Sequence, residues 1–121
     1  MTSRQNKTTL KRGDNDQIIA NIISAGFPDL IPGTMERLAI GQSTYGHGVT
    51  VDSDTTQYGT KQNNWVEMAN EELYDGIIYL TAEEIRQERK GNKNVSLQRA
   101  RELLAQAVRV LGSDSGEIGS V

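Results

Sequence analysis

The apolar positions of the chain recur mainly at helical spacing, in runs separated by stretches rich in turn residues. The first run, "QIIANIISAG", sets Ile18, Ile19, Ile22 and Ile23 on one helical face behind Asp14 or Asp16 as N-cap, and it stops at Gly26. Both prolines follow in "FPDLIPG", which predicts an extended link. Thr34 then caps a helix over "MERLAIGQSTYG", with Met35, Leu38 and Ala39 as its buried stripe. Residues 46–64, "GHGVTVDSDTTQYGTKQNN", carry only a brief alternation around Val49 and Val51 and read as a long loop, with room for one short extended segment. Asn64 is placed to cap a third helix from Trp65 to about Lys90, where "GNKN" breaks it. The last run is the most regular. Leu97, Ala100, Leu103, Leu104, Ala107, Val108 and Leu111 hold one face, Arg99, Arg101, Glu102, Gln106 and Arg109 surround them, and Ser96 and Gly112 mark the ends.

The expected architecture is all-α: a small bundle of three or four helices with a long loop before the third, completed by oligomerisation. Strand signals are too weak for a sheet, and no internal repeat is evident. At 121 residues one domain is expected, drawn here as residues 14–112 between polar flexible tails at 1–13 and 113–121. The formal charge of −3, from 13 basic and 16 acidic residues, gives no field that favours duplex nucleic acid or an anionic membrane. With no cysteine, disulfides and thiolate chemistry are excluded, and any metal falls to oxygen ligands. No apolar run approaches a membrane span, and "MTSRQNKTTLKRGDND" lacks the apolar core of a signal peptide, so a soluble, cytoplasmic protein is expected.

The third helix, "NNWVEMANEELYDGIIYL", combines burial and charge in one segment. With Glu67 at 0° and about 100° per residue, Glu71 falls at about 40°, Asp75 at about 80° and Glu72 at about 140°. The apolar stripe of Trp65, Ala69, Leu73, Ile77 and Leu80 centres at roughly 220° on the same wheel. The acidic half also holds Met68, Ile78 and Tyr79, which predicts that it faces a helix or a cleft rather than bulk water. Crowded carboxylates repel one another, and a divalent cation relieves this; Mg²⁺ takes one or two protein carboxylates together with substrate phosphates. Glu72 with Asp75 (i, i+3) and Glu71 with Asp75 (i, i+4) have the required spacing. Glu67 fits a capping box behind Asn64 instead, and a solvated acidic face accounts for an "EExxD" pattern equally well.

The run "EELYDGIIYL" at 71–80 resembles the second metal-binding helix of the MazG-like all-α nucleotide pyrophosphohydrolases, and the longer "NNWVEMANEELYDGIIYL", preceded by "YG", is similar to small phage-type members. The resemblance covers about a fifth of the chain closely and the helical layout loosely. It implies a Mg²⁺-dependent enzyme, with Mn²⁺ as substitute, that splits a nucleoside triphosphate between its α and β phosphates and so controls a nucleotide pool. It also implies a homodimer or homotetramer. On it Glu72 and Asp75 match the ExxD pair, Glu71 is the adjacent acid, and the preceding helix supplies Glu36. That helix departs from the family pattern, since the ExxE usual there is reduced to Glu36. The missing ligands would come from Glu67, from "AEE" at 82–84 or from another subunit. Otherwise the chain is a non-catalytic helical module that binds a nucleotide or a protein.

Around the long loop, the glycines of "STYGHGV" and "QYGTKQNN" leave room for backbone N–H groups to approach a phosphate, with Lys61 as the paired cation; ordinary turn chemistry explains the same glycines. Tyr45, Tyr58 and Trp65 are candidates for stacking on a base, with core packing the competing role for Trp65. His47, the only histidine, has no metal-binding partner motif around it and suits a turn. Arg86, Arg89 and Lys90 suit the C-terminal end of the helix dipole.

Overall fold

The computed structural model describes the backbone of residues 11–120 and the side chains of residues 11–112; of the expected tail at residues 1–13, residues 1–10 lie outside them. The described chain is all-α. Its four α-helices are α1 (Asn15–Ser24), α2 (Ile31–Tyr45), α3 (Trp65–Arg89) and α4 (Val95–Ser120), with single 3-10 turns at Pro28–Leu30 and Thr55–Tyr58. The residues divide into two compact units, with the boundary between Ser53 and Asp54 inside the segment read as one loop.

In the first unit α1 packs on α2. The prolines do not form an extended link. Pro28 opens a 3-10 turn and Pro32 sits in the first turn of α2, where a missing N–H costs nothing. Thr34 is therefore inside the helix rather than at its cap, and its hydroxyl donates to the Leu30 carbonyl at 2.8 Å. Gly46 closes α2 in the left-handed conformation, φ 81°, which glycine adopts without a Cβ clash. The chain then passes so close to residues 11–13 that a Cβ on Gly48 would stand 1.9 Å from the Arg12 carbonyl oxygen. Asn15, buried at the start of α1, fastens this crossing by accepting the Val49 N–H at 2.9 Å. Asp14 makes no cap hydrogen bond and accepts instead from the Val51 N–H at 2.8 Å. The alternation around Val49 and Val51 thus forms hydrogen bonds with the start of α1 without becoming a strand.

The second unit is an antiparallel hairpin of α3 and α4. Asn64 caps α3 by accepting the Val66 N–H at 2.8 Å, which satisfies one of the donors a helix start leaves open. Gly91, at φ 81°, follows its last turn. The sequence reading of α4 is corrected at both ends. Asn94, not Ser96, holds the start, accepting the Leu97 N–H at 3.2 Å. Gly112 does not take a positive φ, and the helix continues through it to Ser120. A glycine inside a helix costs only about 1 kcal/mol, too little to stop one. Leu73, Ile77 and Leu80 are half-buried in the hairpin, as are Leu97, Leu104, Val108 and Leu111 of α4. Gly76 lies in this contact: a Cβ there would be 3.0 Å from Leu104 Cδ1.

Arg101, read from sequence as lying outside the apolar face of α4, points into the hairpin. Its guanidinium forks onto the Glu84 carboxylate, with the longer arm at 3.4 Å, and donates to Thr81 Oγ1 at 3.3 Å. Such a fork matches the planar geometry of a carboxylate. The hydrogen bond from Arg101, helped by one from Gln98, holds the Glu84 carboxyl below its usual range against the opposing effect of desolvation. A carboxylate with a lowered folded-state pKa stabilises the fold above its unfolded value and loses that contribution as pH falls through the folded one. Arg101→Met should therefore lower the melting temperature at pH 7. The gap from wild type should close as pH falls through the lowered folded-state value, once Glu84 is protonated in both folded and unfolded chains. Thermal melts at stepped pH test this, and a pH-independent gap would assign Arg101 a packing role only.

Candidate functional site

The N-terminal approach to α3 is built around two buried hydroxyls. Thr55 is fully buried and Thr60 is 6% exposed. Their Oγ1 atoms lie 2.8 Å apart, and both reach the Gln62 carbonyl, at 3.1 and 2.6 Å. Thr55 Oγ1 also accepts the Asn64 N–H at 2.6 Å, while the Thr55 N–H donates to the Asn63 side chain at 3.0 Å. Asp54 caps the 3-10 turn, and hydrogen bonds from the Thr56 hydroxyl and backbone hold its carboxyl below the usual range. Residues 54–64 are thus a hydrogen-bonded knot that delivers the chain to Asn64 at a fixed angle.

That knot changes the role of Glu67. A capping box would return its carboxylate to the Asn64 N–H, but Thr55 already occupies that donor. Glu67 reaches further back, to the N–H groups of Lys61 and Gln62. These two donors lie in "QYGTKQNN", one of the stretches whose backbone the sequence offered to a phosphate, and they are taken by a carboxylate of the same chain. The Lys61 side chain is exposed at a cleft of about 320 Å³, alongside Gln62, Glu67 and Asn70. Trp65 is half-buried against Tyr58, with ring centroids 6.1 Å apart and the planes tilted by 31°. Tyr45 belongs to the first unit, at the end of α2, and is 60% exposed. His47 stays in its turn, Nδ1 lying 2.7 Å from the Gly48 carbonyl oxygen.

The carboxylates proposed for metal stand apart from the hairpin contact. Glu71, Glu72 and Asp75 are exposed, and no described residue forms a hydrogen bond or ion pair with them. Of the apolar residues among them Met68 is half-buried, but Ile78 is 60% and Tyr79 69% exposed and mark no covered face within the described residues. Glu36 is exposed on α2, in the other compact unit. Of the alternative donors, Glu83 accepts from Gln87 at 3.0 Å and lies 3.8 Å from Arg86, and Glu84 is held by Arg101. Among the described residues no group of three or more His, Asp or Glu side chains is gathered closely enough to hold one metal ion. What the helix presents is an open face with carboxylates at i, i+3 and i, i+4 and, among the described residues, nothing competing for them.

No family model matches the chain. Comparisons with curated proteins and with solved structures likewise gave no significant match. The site must be judged on its own chemistry. No helix among the described residues is long and apolar enough to cross a membrane. Sequence reading missed two features of this region. The Thr55–Thr60 knot left only a run of hydroxyl and amide residues as its signal, and Arg101 differs from its neighbours only by lying beside the apolar stripe.

Proposed function

We propose that the chain is a Mg²⁺-dependent nucleoside triphosphate pyrophosphohydrolase of the MazG-like type, and that the outward face of α3 receives the metal and the phosphates. One observation carries this reading: Glu71, Glu72 and Asp75 share a face at helical spacing, exposed and free of described partners. Partial occupancy of the coordination sphere by protein suits Mg²⁺, which keeps several waters and completes its shell with substrate phosphates instead of requiring a protein cage. Glu72 and Asp75 would hold the ion and Glu71 would assist. When bound, the metal would neutralise phosphate charge and polarise phosphorus. Lys61 is an exposed cation for phosphate oxygens on the approach to α3, and Trp65, at the start of the same helix, remains a candidate for base stacking.

Incubation of the full chain with each ribo- and deoxyribonucleoside triphosphate and Mg²⁺ tests the proposal. The expected products are the monophosphate and pyrophosphate in equal amounts, with none after chelation by EDTA. Release of orthophosphate instead, or no product from any nucleotide by a folded chain, would overturn it.

A second reading is favoured by the exposed apolar residues between the acids and by the lack of a three-carboxylate cluster among the described residues. In it the same face binds nucleotide or protein without turnover. Calorimetry with Mg²⁺ and a nucleotide separates the two, since heat of binding without product supports the second.

A further inference from the structure

The cleft beside the start of α3 has a lining that neither the hairpin contact nor the acidic face accounts for. It lies wholly within the second compact unit and holds about 320 Å³, at the small end of the roughly 300–1,000 Å³ usual for ligand pockets. Val66 and Asn70 stand one turn apart on α3 and line it together with Leu111 and Gly112 of α4. Lys61 adds a cation and Glu67 an anion.

Two features of this lining lack a structural reason of their own. The first is Asn70, whose Oδ1 is buried with no hydrogen-bond partner among the described residues. A buried acceptor without a donor carries a desolvation penalty until one arrives. The second is Gly112. It lies inside α4 without a positive φ, so the backbone does not require a glycine, and only proline suits a helix interior less well. Packing does not require one either, since a Cβ there would meet nothing within 4 Å. What the missing side chain does supply is room in the cleft it lines.

The charges decide what fills that room. A triphosphate would meet one lysine next to the carboxylate of Glu67, and a neutral nucleobase would leave both charges without a partner. We propose that the cleft binds a free aliphatic α-amino acid, a zwitterion with an apolar body. Its carboxylate pairs with the exposed Lys61 ammonium, and its side chain lies against Val66 and Leu111. Its ammonium donates to Glu67 and to Asn70. The Glu67 carboxylate is held in place by the Lys61 and Gln62 N–H groups, and it has lone pairs left over, because a carboxylate accepts about four hydrogen bonds. Asn70 lines the cleft, so a rotation about its soft χ2 carries Oδ1 to the ligand. Of the groups assigned to metal and phosphates only Lys61 is shared, and the amino-acid site stands whether or not the chain hydrolyses a nucleotide.

Calorimetry of the full chain with L-leucine, L-isoleucine, L-valine and L-methionine tests this. At least one should bind at concentrations up to about 10 mM. Isocaproate, which lacks the ammonium group of leucine, and isoamylamine, which lacks its carboxylate, should each bind about tenfold more weakly or worse than leucine, since each forfeits charge-assisted hydrogen bonds. Lys61→Ala should weaken leucine binding by a similar factor. Gly112→Leu and Asn70→Leu separate loss of the site from loss of the fold. Both should abolish binding while the melting temperature holds or rises, the first because leucine is the better helix former and the second because it removes an unpaired buried acceptor. No binding of any of the four amino acids by a folded chain, binding of isocaproate or isoamylamine equal to that of leucine, or undiminished binding by Gly112→Leu would each overturn the proposal.

Discussion

Asp75→Asn should reduce Mg²⁺-dependent release of pyrophosphate by about 100-fold or more while the chain stays folded. Asp75 is the one acid that stands at i+3 from Glu72 and i+4 from Glu71, so an ion shared across either spacing uses it. Asparagine keeps the shape and removes the charge on which a hard cation depends. Loss of groups that only support a metal's ligands commonly costs roughly 10- to 100-fold, so loss of a ligand should fall at or beyond that range. The side chain is exposed and no described residue pairs with it. The folding cost should therefore stay within about 0.5 kcal/mol, as for most surface substitutions. Initial rates over a Mg²⁺ titration provide the readout. A metal role appears as a loss that excess Mg²⁺ partly restores. Turnover equal to wild type at every Mg²⁺ concentration would remove Asp75, and with it the ExxD pair, from the mechanism.

How much of this was legible in the sequence depends on the range of the interactions. The all-α class, the existence of the four helices and the breaks at Gly46 and Gly91 could be read because period and capping are local. The Asn64 cap was legible for the same reason. Pro32 was misread because a proline that breaks a helix from within is equally suited to start one, and only the conformation of Pro28–Leu30 decides between them. Glu67 obeys the capping-box spacing, yet its carboxylate goes to Lys61 and Gln62 because the competing acceptor, Thr55, comes from nine residues before Asn64. Arg101 was placed outside the apolar face with no partner named, because a pattern of residue types cannot show that Glu84 of the preceding helix lies across from it. At the acidic face, spacing correctly placed the three carboxylates on one broad side. The covering predicted from Ile78 and Tyr79 is not supplied by the described chain, because residue type and spacing cannot show whether a helix face has a neighbour.

Thr55→Val should destabilise the second unit by about 2–3 kcal/mol, a shift of roughly 30- to 150-fold in the folding equilibrium. The substitution keeps the shape and β-branching and exchanges a hydroxyl for a methyl group, so the loss reports on the hydroxyl. That hydroxyl is fully buried and links Thr60, the Gln62 carbonyl and the Asn64 N–H. Thr60 can still donate to Gln62 at 2.6 Å in the variant, but the Asn64 N–H has no other described acceptor and is left facing a methyl group. An orphaned buried donor costs about 1–3 kcal/mol, and the lost hydrogen bonds add to it. Urea unfolding followed by helical circular dichroism gives the magnitude, and hydrogen exchange gives the location: the Asn64 and Val66 amides should lose protection before those in the middle of α3. Thr56→Val is the control, since its hydroxyl bonds Asp54 at the exposed side of the same turn. It should cost less than about 1 kcal/mol. Because the knot holds both Lys61 and the first turn of α3, the Thr55 variant should also weaken nucleotide binding more than it alters Mg²⁺ dependence. Equal stability of Thr55→Val and wild type would mean that the approach to the acidic helix is held by Asn64 and Glu67 alone.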